Sequence, residues 1–135
     1  MHKIFLVLGT LLAGLAVILG AFGAHGLKQI VSAETVASYQ TGVQYQMYHA
    51  FGLLILGILA DRLNDTLIGY AGAFFIAGIV LFSGSLYLFA SLKAMNKAIV
   101  PGMGLITPVG GVMFVVGWVL LLIAILKDKM LLPST

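Results

Sequence analysis

The chain has 135 residues, 61% of them hydrophobic and only 8% charged, where a soluble domain carries about 25% charge. So much apolar surface cannot be hidden in a small water-soluble fold, so bilayer is the natural solvent, and the length leaves room for one integral membrane domain over 1–135 and none for a separate soluble catalytic one. The net charge of +3 is small and scattered, which suits anionic headgroups and excludes a nucleic-acid footprint, while the absence of cysteine excludes disulfides, thiolate nucleophiles and thiolate metal sites.

Charged residues divide the sequence into four uncharged intervals: Lys3 to Lys28, Glu34 to Asp61, Asp65 to Lys93 and Lys97 to Lys127. Each holds 24 to 29 residues. A helix needs about 20 apolar residues to cross the hydrocarbon core. The expected fold is therefore an all-α membrane protein, a four-transmembrane-helix bundle with spans at 4–25, 43–60, 67–92 and 105–126.

The first span has features of a signal peptide, with Lys3 before it and Ala21-Phe22-Gly23 as a cleavage-like site. Its core is too long for that, and a retained span is expected. It carries Gly9, Ala13, Ala16, Gly20 and Gly23, one face of small residues. In lipid such faces let helices pack closely, within one chain or between copies in a homo-oligomer. The span ends in GAFGAHGLK (20–28), which leaves His25 at the interface.

The first connection follows. Ser32 suits an N-cap and Glu34 suits the first turn of a helix. Val36, Tyr39 and Val43 fall at helical spacing. An interfacial helix is expected over 33–42, running on into the second span or bending at Gly42. Span two opens with Gln44, Tyr45, Gln46, Tyr48 and His49 and finishes in Leu54, Ile55 and Leu56. A short connection, 61–65, leads to span three, with Gly69, Ala73 and Ala77 early and Ser83, Ser85 and Tyr87 late. Pro101-Gly102-Met103-Gly104 breaks the chain before span four, which begins at Thr107 and Pro108 and carries Gly110 and Gly117.

An even number of spans puts the first and third connections on one side of the membrane. That side has Lys28, Lys93 and Lys97; the other has Lys3, Arg62, Lys127 and Lys129. The difference leans towards cytoplasmic termini. The polar intramembrane residues converge on the half of the bundle nearer the first side. Tyr45 and His49 share a helix face, as do Ser83 and Tyr87. His49 lies below the interface, where an ionisable group is either a ligand or proton site or the glue between helices. The candidate ligand-binding residues are His25, Tyr45, His49, Ser83, Ser85, Tyr87 and Thr107.

Four landmarks, GAFGAHGLK (20–28), YQMYHAFGLL (45–54), SGSLY (83–87) and ITPVGG (106–111), resemble domain of unknown function 423, the bacterial YgdD-like proteins, which have a mitochondrial relative in animals. The likeness covers nearly the whole chain. It implies a four-helix inner-membrane protein, with no established activity. The positions matching the family's signature are His25, His49, Ser83, Ser85, Tyr87, Thr107 and Pro108.

The residues support few chemistries. Zinc or iron needs three or four convergent ligands, and the spans offer His25 and His49 alone, so no metal or other cofactor is expected. Two histidines are a weak signal for haem. Nucleophilic catalysis lacks an acid to orient the histidine. Proton-coupled transport usually relies on an intramembrane acid, and Glu34, Asp61, Asp65 and Asp128 all lie outside the spans. No phosphate loop or dinucleotide fingerprint is present. The expectation is a non-enzymatic module that binds a lipid, small amphiphile or partner helix in a polar pocket in one leaflet. A small transporter or channel is the first alternative. An intramembrane enzyme using His49 and a serine is the second.

Overall fold

The computed structural model describes residues 1–128, and Lys129, counted above with the termini, lies outside them. The described chain is helical throughout its ordered elements, with no strand among the described residues. Helix α1 is Lys3–Ala24, followed by a short 3-10 turn at Leu27–Gln29. Helix α2 is Ala33–Leu59. The third long element is Asp65–Ala94, made of α3 (Asp65–Gly78), a π-helical segment (Ile79–Ser83) and α4 (Gly84–Ala94). A 3-10 turn at Met103–Leu105 leads into α5, Ile106–Lys127.

Local chemistry accounts for these limits. The Ser32 hydroxyl accepts the Thr35 N–H at 3.2 Å, with Glu34 in the first turn, so α2 starts where an N-cap and a carboxylate meet its positive end. Asn64 caps α3 in the same way through the Leu67 N–H at 3.0 Å, with Asp65 next. Gly102, at φ 94°, turns the chain just after Pro101 and before α5.

Three elements, Lys3–Gln29, Asp65–Ala94 and Met103–Lys127, are long and apolar enough to cross a membrane. The helix at 33–42 is not separate: it continues through Gly42 as the first turns of α2. At 27 residues α2 is about 40 Å long, some 10 Å more than a hydrocarbon core. Its polar first half, from Gln40 to His49, sets it apart from the three apolar elements.

The two sides of the fold are bound differently. Helix α1 runs antiparallel along α2, with the His2 N–H bonded to the Gly57 carbonyl at one end and the Tyr39 hydroxyl to the Leu19 carbonyl at the other. The small face of α1 is consumed there. A Cβ on Gly9 would meet the Ala50 carbonyl oxygen and Leu54, and one on Gly23 would meet Tyr39 and Gln40. On the other side, α3 and α5 close on phenylalanines seated in glycine notches. Phe75 is held between Gly52 and Gly117, whose added Cβ atoms would lie 2.8 and 2.5 Å from its ring. Gly110 faces the backbone of Phe82 within the π segment. The apolar core, including Phe5, Leu53, Leu56, Ile68 and Phe75, fills the half nearer the N-terminus. A smaller cluster of Leu27, Tyr39 and Ala90 closes the other end.

Candidate functional site

The polar residues collect between the apolar core and the Leu27 end, and nearly all of them are engaged. His49 is buried. Its Nδ1 lies 2.7 Å from the Tyr45 carbonyl oxygen and its Nε2 lies 3.0 Å from the Trp118 indole nitrogen. A carbonyl only accepts and an indole N–H only donates. The tautomer follows: Nδ1–H donates to Tyr45, and Nε2 accepts from Trp118. Aromatic rings enclose the imidazole. Phe114 stacks on it at 3.5 Å between centroids and 11° between planes, and Phe75 meets it edge-on at 5.2 Å. These side chains span the gap between α2 and α5.

Gln46, 2% exposed, joins three elements. Its Nε2 donates to the Leu12 carbonyl of α1 at 2.8 Å, and its Oε1 accepts the Tyr87 hydroxyl of α4 at 2.6 Å. Tyr39 and Gln40 likewise donate to the carbonyls of Leu19 and Gly20 in α1, at 2.7 and 3.1 Å.

The two serines diverge across the π segment. Ser83 Oγ–H donates to the Gly42 carbonyl of α2 at 2.6 Å. Ser85 Oγ–H donates to the Phe82 carbonyl at 2.8 Å. Its only hydrogen is thereby used, so in the 2.6 Å contact with Thr107 the threonine hydroxyl is the donor. One serine thus ties the third element to α2 and the other ties it to α5.

Of the seven candidate residues, His49, Ser83, Ser85, Tyr87 and Thr107 lie in these linked contacts. Tyr45 stands at the edge, 38% exposed, with its ring 4.7 Å from Phe82 and 5.7 Å from Tyr48. His25 is set apart. It is exposed at the end of α1, and its Nδ1 bonds the Ala21 carbonyl of its own helix at 2.9 Å. Pro108 is exposed near the start of α5. Sequence reasoning did not single out Trp118, Gln46 as a bridge, or the Phe75–Phe114 cage. Trp118 was open to detection: it sits deep in α5, away from the interfacial belt, and a deep indole N–H requires an acceptor.

The arrangement holds helices together. No serine contacts His49 through a hydrogen bond, and no group of three metal-ligating side chains occurs among the described residues.

Fold and site together define a helical membrane protein whose buried polar side chains bond within the chain. The chain belongs to the family described as "Protein of unknown function (DUF423)", whose model matches residues 19–111. It is 46% identical over 126 residues to the UPF0382 membrane protein YwdK of Bacillus subtilis, covering 93% of this chain and 98% of that one. A UPF0382 membrane protein of Staphylococcus epidermidis is 43% identical over 125 residues, and one of Staphylococcus aureus is 41% identical over 125 residues. Each of these covers 93% of this chain and 97% of the relative. No solved structure matches the chain.

Proposed function

We propose that this protein is a non-enzymatic module of a bacterial cytoplasmic membrane. All four long helical elements cross the bilayer, and a lipid or small amphiphile is held in one leaflet beside the His49 cluster. The observation that carries the non-enzymatic part is the saturation of the polar residues. Gln46, His49, Ser83, Ser85 and Thr107 all bond within the chain. An isolated polar group in hydrocarbon costs several kcal/mol, on the order set by desolvation, so such groups are first used to join helices. The crossing of α2 rests on its antiparallel packing along α1, which has the length and apolarity to span.

Ligand contact then belongs at the open edge of the cluster, where Tyr45 and Trp118 are 38% and 41% exposed. Both have an apolar body and a polar tip, which suits an amphiphile arriving from within the leaflet. A transporter is less well supported, because Leu53, Leu56 and Phe75 are fully buried and close the apolar half. Homo-oligomerisation has less small-residue surface than expected, since the α1 stripe already seats α2. Gly69, with open space above it, and the exposed Ala73 remain on α3.

Native mass spectrometry of protein released gently from its own membrane tests the reading. An adduct of constant mass, lost in Tyr45→Ala, is expected. Bare protein at every stoichiometry would remove the ligand. The same spectra read the number of copies, and a dimer or higher state weakened by Gly69→Leu would locate the oligomer face on α3.

A further inference from the structure

The end of the bundle that carries His25 has an unusual surface. Leu27 and Ala90 pack into one cluster with Tyr39, which sets the first and third connections side by side. Lys28 follows Leu27, and Lys93 and Lys97 follow Ala90, so three ammonium groups gather on this end. Glu34 is the one carboxylate there among the described residues. At the opposite end Lys3, Arg62 and Lys127 are interspersed with Asp61, Asp65 and Asp128, and Asp61 pairs with the N-terminal amine.

The third connection also exposes apolar side chains. Met95, Val100 and Leu105 are 56%, 61% and 69% exposed, and Ile30 of the first connection is 59% exposed. Residues 97–100 have no regular secondary structure. Asn96, at φ 55°, and Gly102, at φ 94°, turn the chain on either side of them. Non-helical backbone is not tolerated in lipid-exposed hydrocarbon. It is tolerated at headgroup depth, where water and headgroups satisfy its N–H and C=O groups. The connection therefore stays outside the hydrocarbon, at a level from which its apolar tips can reach the acyl boundary and its lysines the lipid phosphates when the leaflet attracts them.

We propose that the first and third connections form a cationic, apolar-tipped cap that seats in a leaflet of anionic phospholipid through Lys28, Lys93 and Lys97, with Val100, in the irregular stretch between the two turns, among its apolar anchors. The inference rests on the bundle crossing the bilayer as proposed above. Charge complementarity selects the partner: clustered lysines favour phosphate-bearing anionic lipid over zwitterionic lipid, and the attraction fades within a Debye length.

The absence of cysteine makes the test clean. A single Val100→Cys, labelled with a naphthalene fluorophore, is reconstituted in vesicles of phosphatidylcholine alone or mixed with phosphatidylglycerol. Acrylamide, a neutral quencher, reads exposure to water. Quenching should fall severalfold when phosphatidylglycerol is present. High salt should restore it, and so should the K28Q/K93Q/K97Q background, whose circular dichroism should remain that of the parent. Equal quenching in the two lipids, or protection that survives loss of all three lysines, overturns the cap. A Val115→Cys label in the exposed middle of α5 serves as reference. If it is protected while Val100 is not, the cap alone fails. If it too is open to acrylamide, the crossing reading fails and takes the cap with it.

Discussion

Two hydrogen-bonded side chains carry the energetics of the site at the residue scale. Gln46 serves α1 and α4 at once, so Gln46→Leu keeps the volume and strands the Tyr87 hydroxyl. Polar contacts between membrane helices average about 0.6 kcal/mol and reach about 1.7 kcal/mol. The substitution should cost about 1–2 kcal/mol in reversible unfolding in mixed micelles, and Tyr87→Phe in the same chain should recover part of it. His49 and Trp118 form the second pair. Trp118 is the single tryptophan of the sequence, so its emission reports on this bond without labelling. His49→Leu should shift that emission, and a double-mutant cycle with Trp118→Phe should give a coupling of about 1 kcal/mol. A coupling near zero would show that the rings pack without the bond. Sequence alone located one member of this pair. His49 stood out because it is ionisable and below the interface, whereas Trp118 lay in a run that reads as uniformly apolar. The link joins residues 69 positions apart, beyond the reach of any local pattern.

Glycine has two distinct uses among the elements. A Cβ at Gly110 would run into the Phe82 backbone, which has no rotamer with which to move aside, while Gly14 has nothing within 4 Å. Gly110→Ala should therefore destabilise by about 1–3 kcal/mol, as overpacking does. Gly14→Ala should be neutral or slightly stabilising. Thermal unfolding of the two variants in one detergent checks both. The long elements were legible in the sequence because charge spacing and hydropathy act locally. Spans expected at 4–25, 67–92 and 105–126 correspond to Lys3–Ala24, Asp65–Ala94 and Ile106–Lys127. The Ser32 cap was equally readable, since the chemistry lies within three residues. The π segment was not. Its Ile-Val-Leu-Phe-Ser sequence has no breaker, and what it meets, Gly110 of α5 against Phe82 and the Gly42 carbonyl of α2 at Ser83, lies far away in the chain.

Over the whole molecule, the chain is organised as two tight pairs, α1 with α2 and the third element with α5, joined where α2 meets the third element. The apolar half welds the pairs through Phe75, and the polar half fastens them through Ser83, Gln46 and His49. If α2 crosses the membrane, Gln29 and Asn64, exposed residues beyond its two ends, lie on opposite sides. Single cysteines at these positions should then react with an impermeant maleimide from opposite faces of sealed, uniformly oriented vesicles. Labelling of both from one face would leave α2 lying within a leaflet. The division into polar and apolar halves was visible from composition along each span, because depth follows from counting residues at about 1.5 Å each. The pairing of helices was not, because a small-residue stripe identifies a close contact without naming the neighbour. That is why the α1 stripe was equally compatible with a second copy.

The π segment also bears on how the chain tolerates changes of length. A π turn is an α-helix carrying one surplus residue, accommodated without turning the flanking segments away from their neighbours. In a regular helix one residue subtends about 100°, so losing one from the middle of α5 would swing Phe114 and Trp118 apart from His49. Losing one from 79–83 would only regularise the winding, leaving α3 still facing α5 and α4 still facing α2. This short stretch is thus the place in the three apolar elements where the chain can shed a residue and keep its flanking helices against the same neighbours.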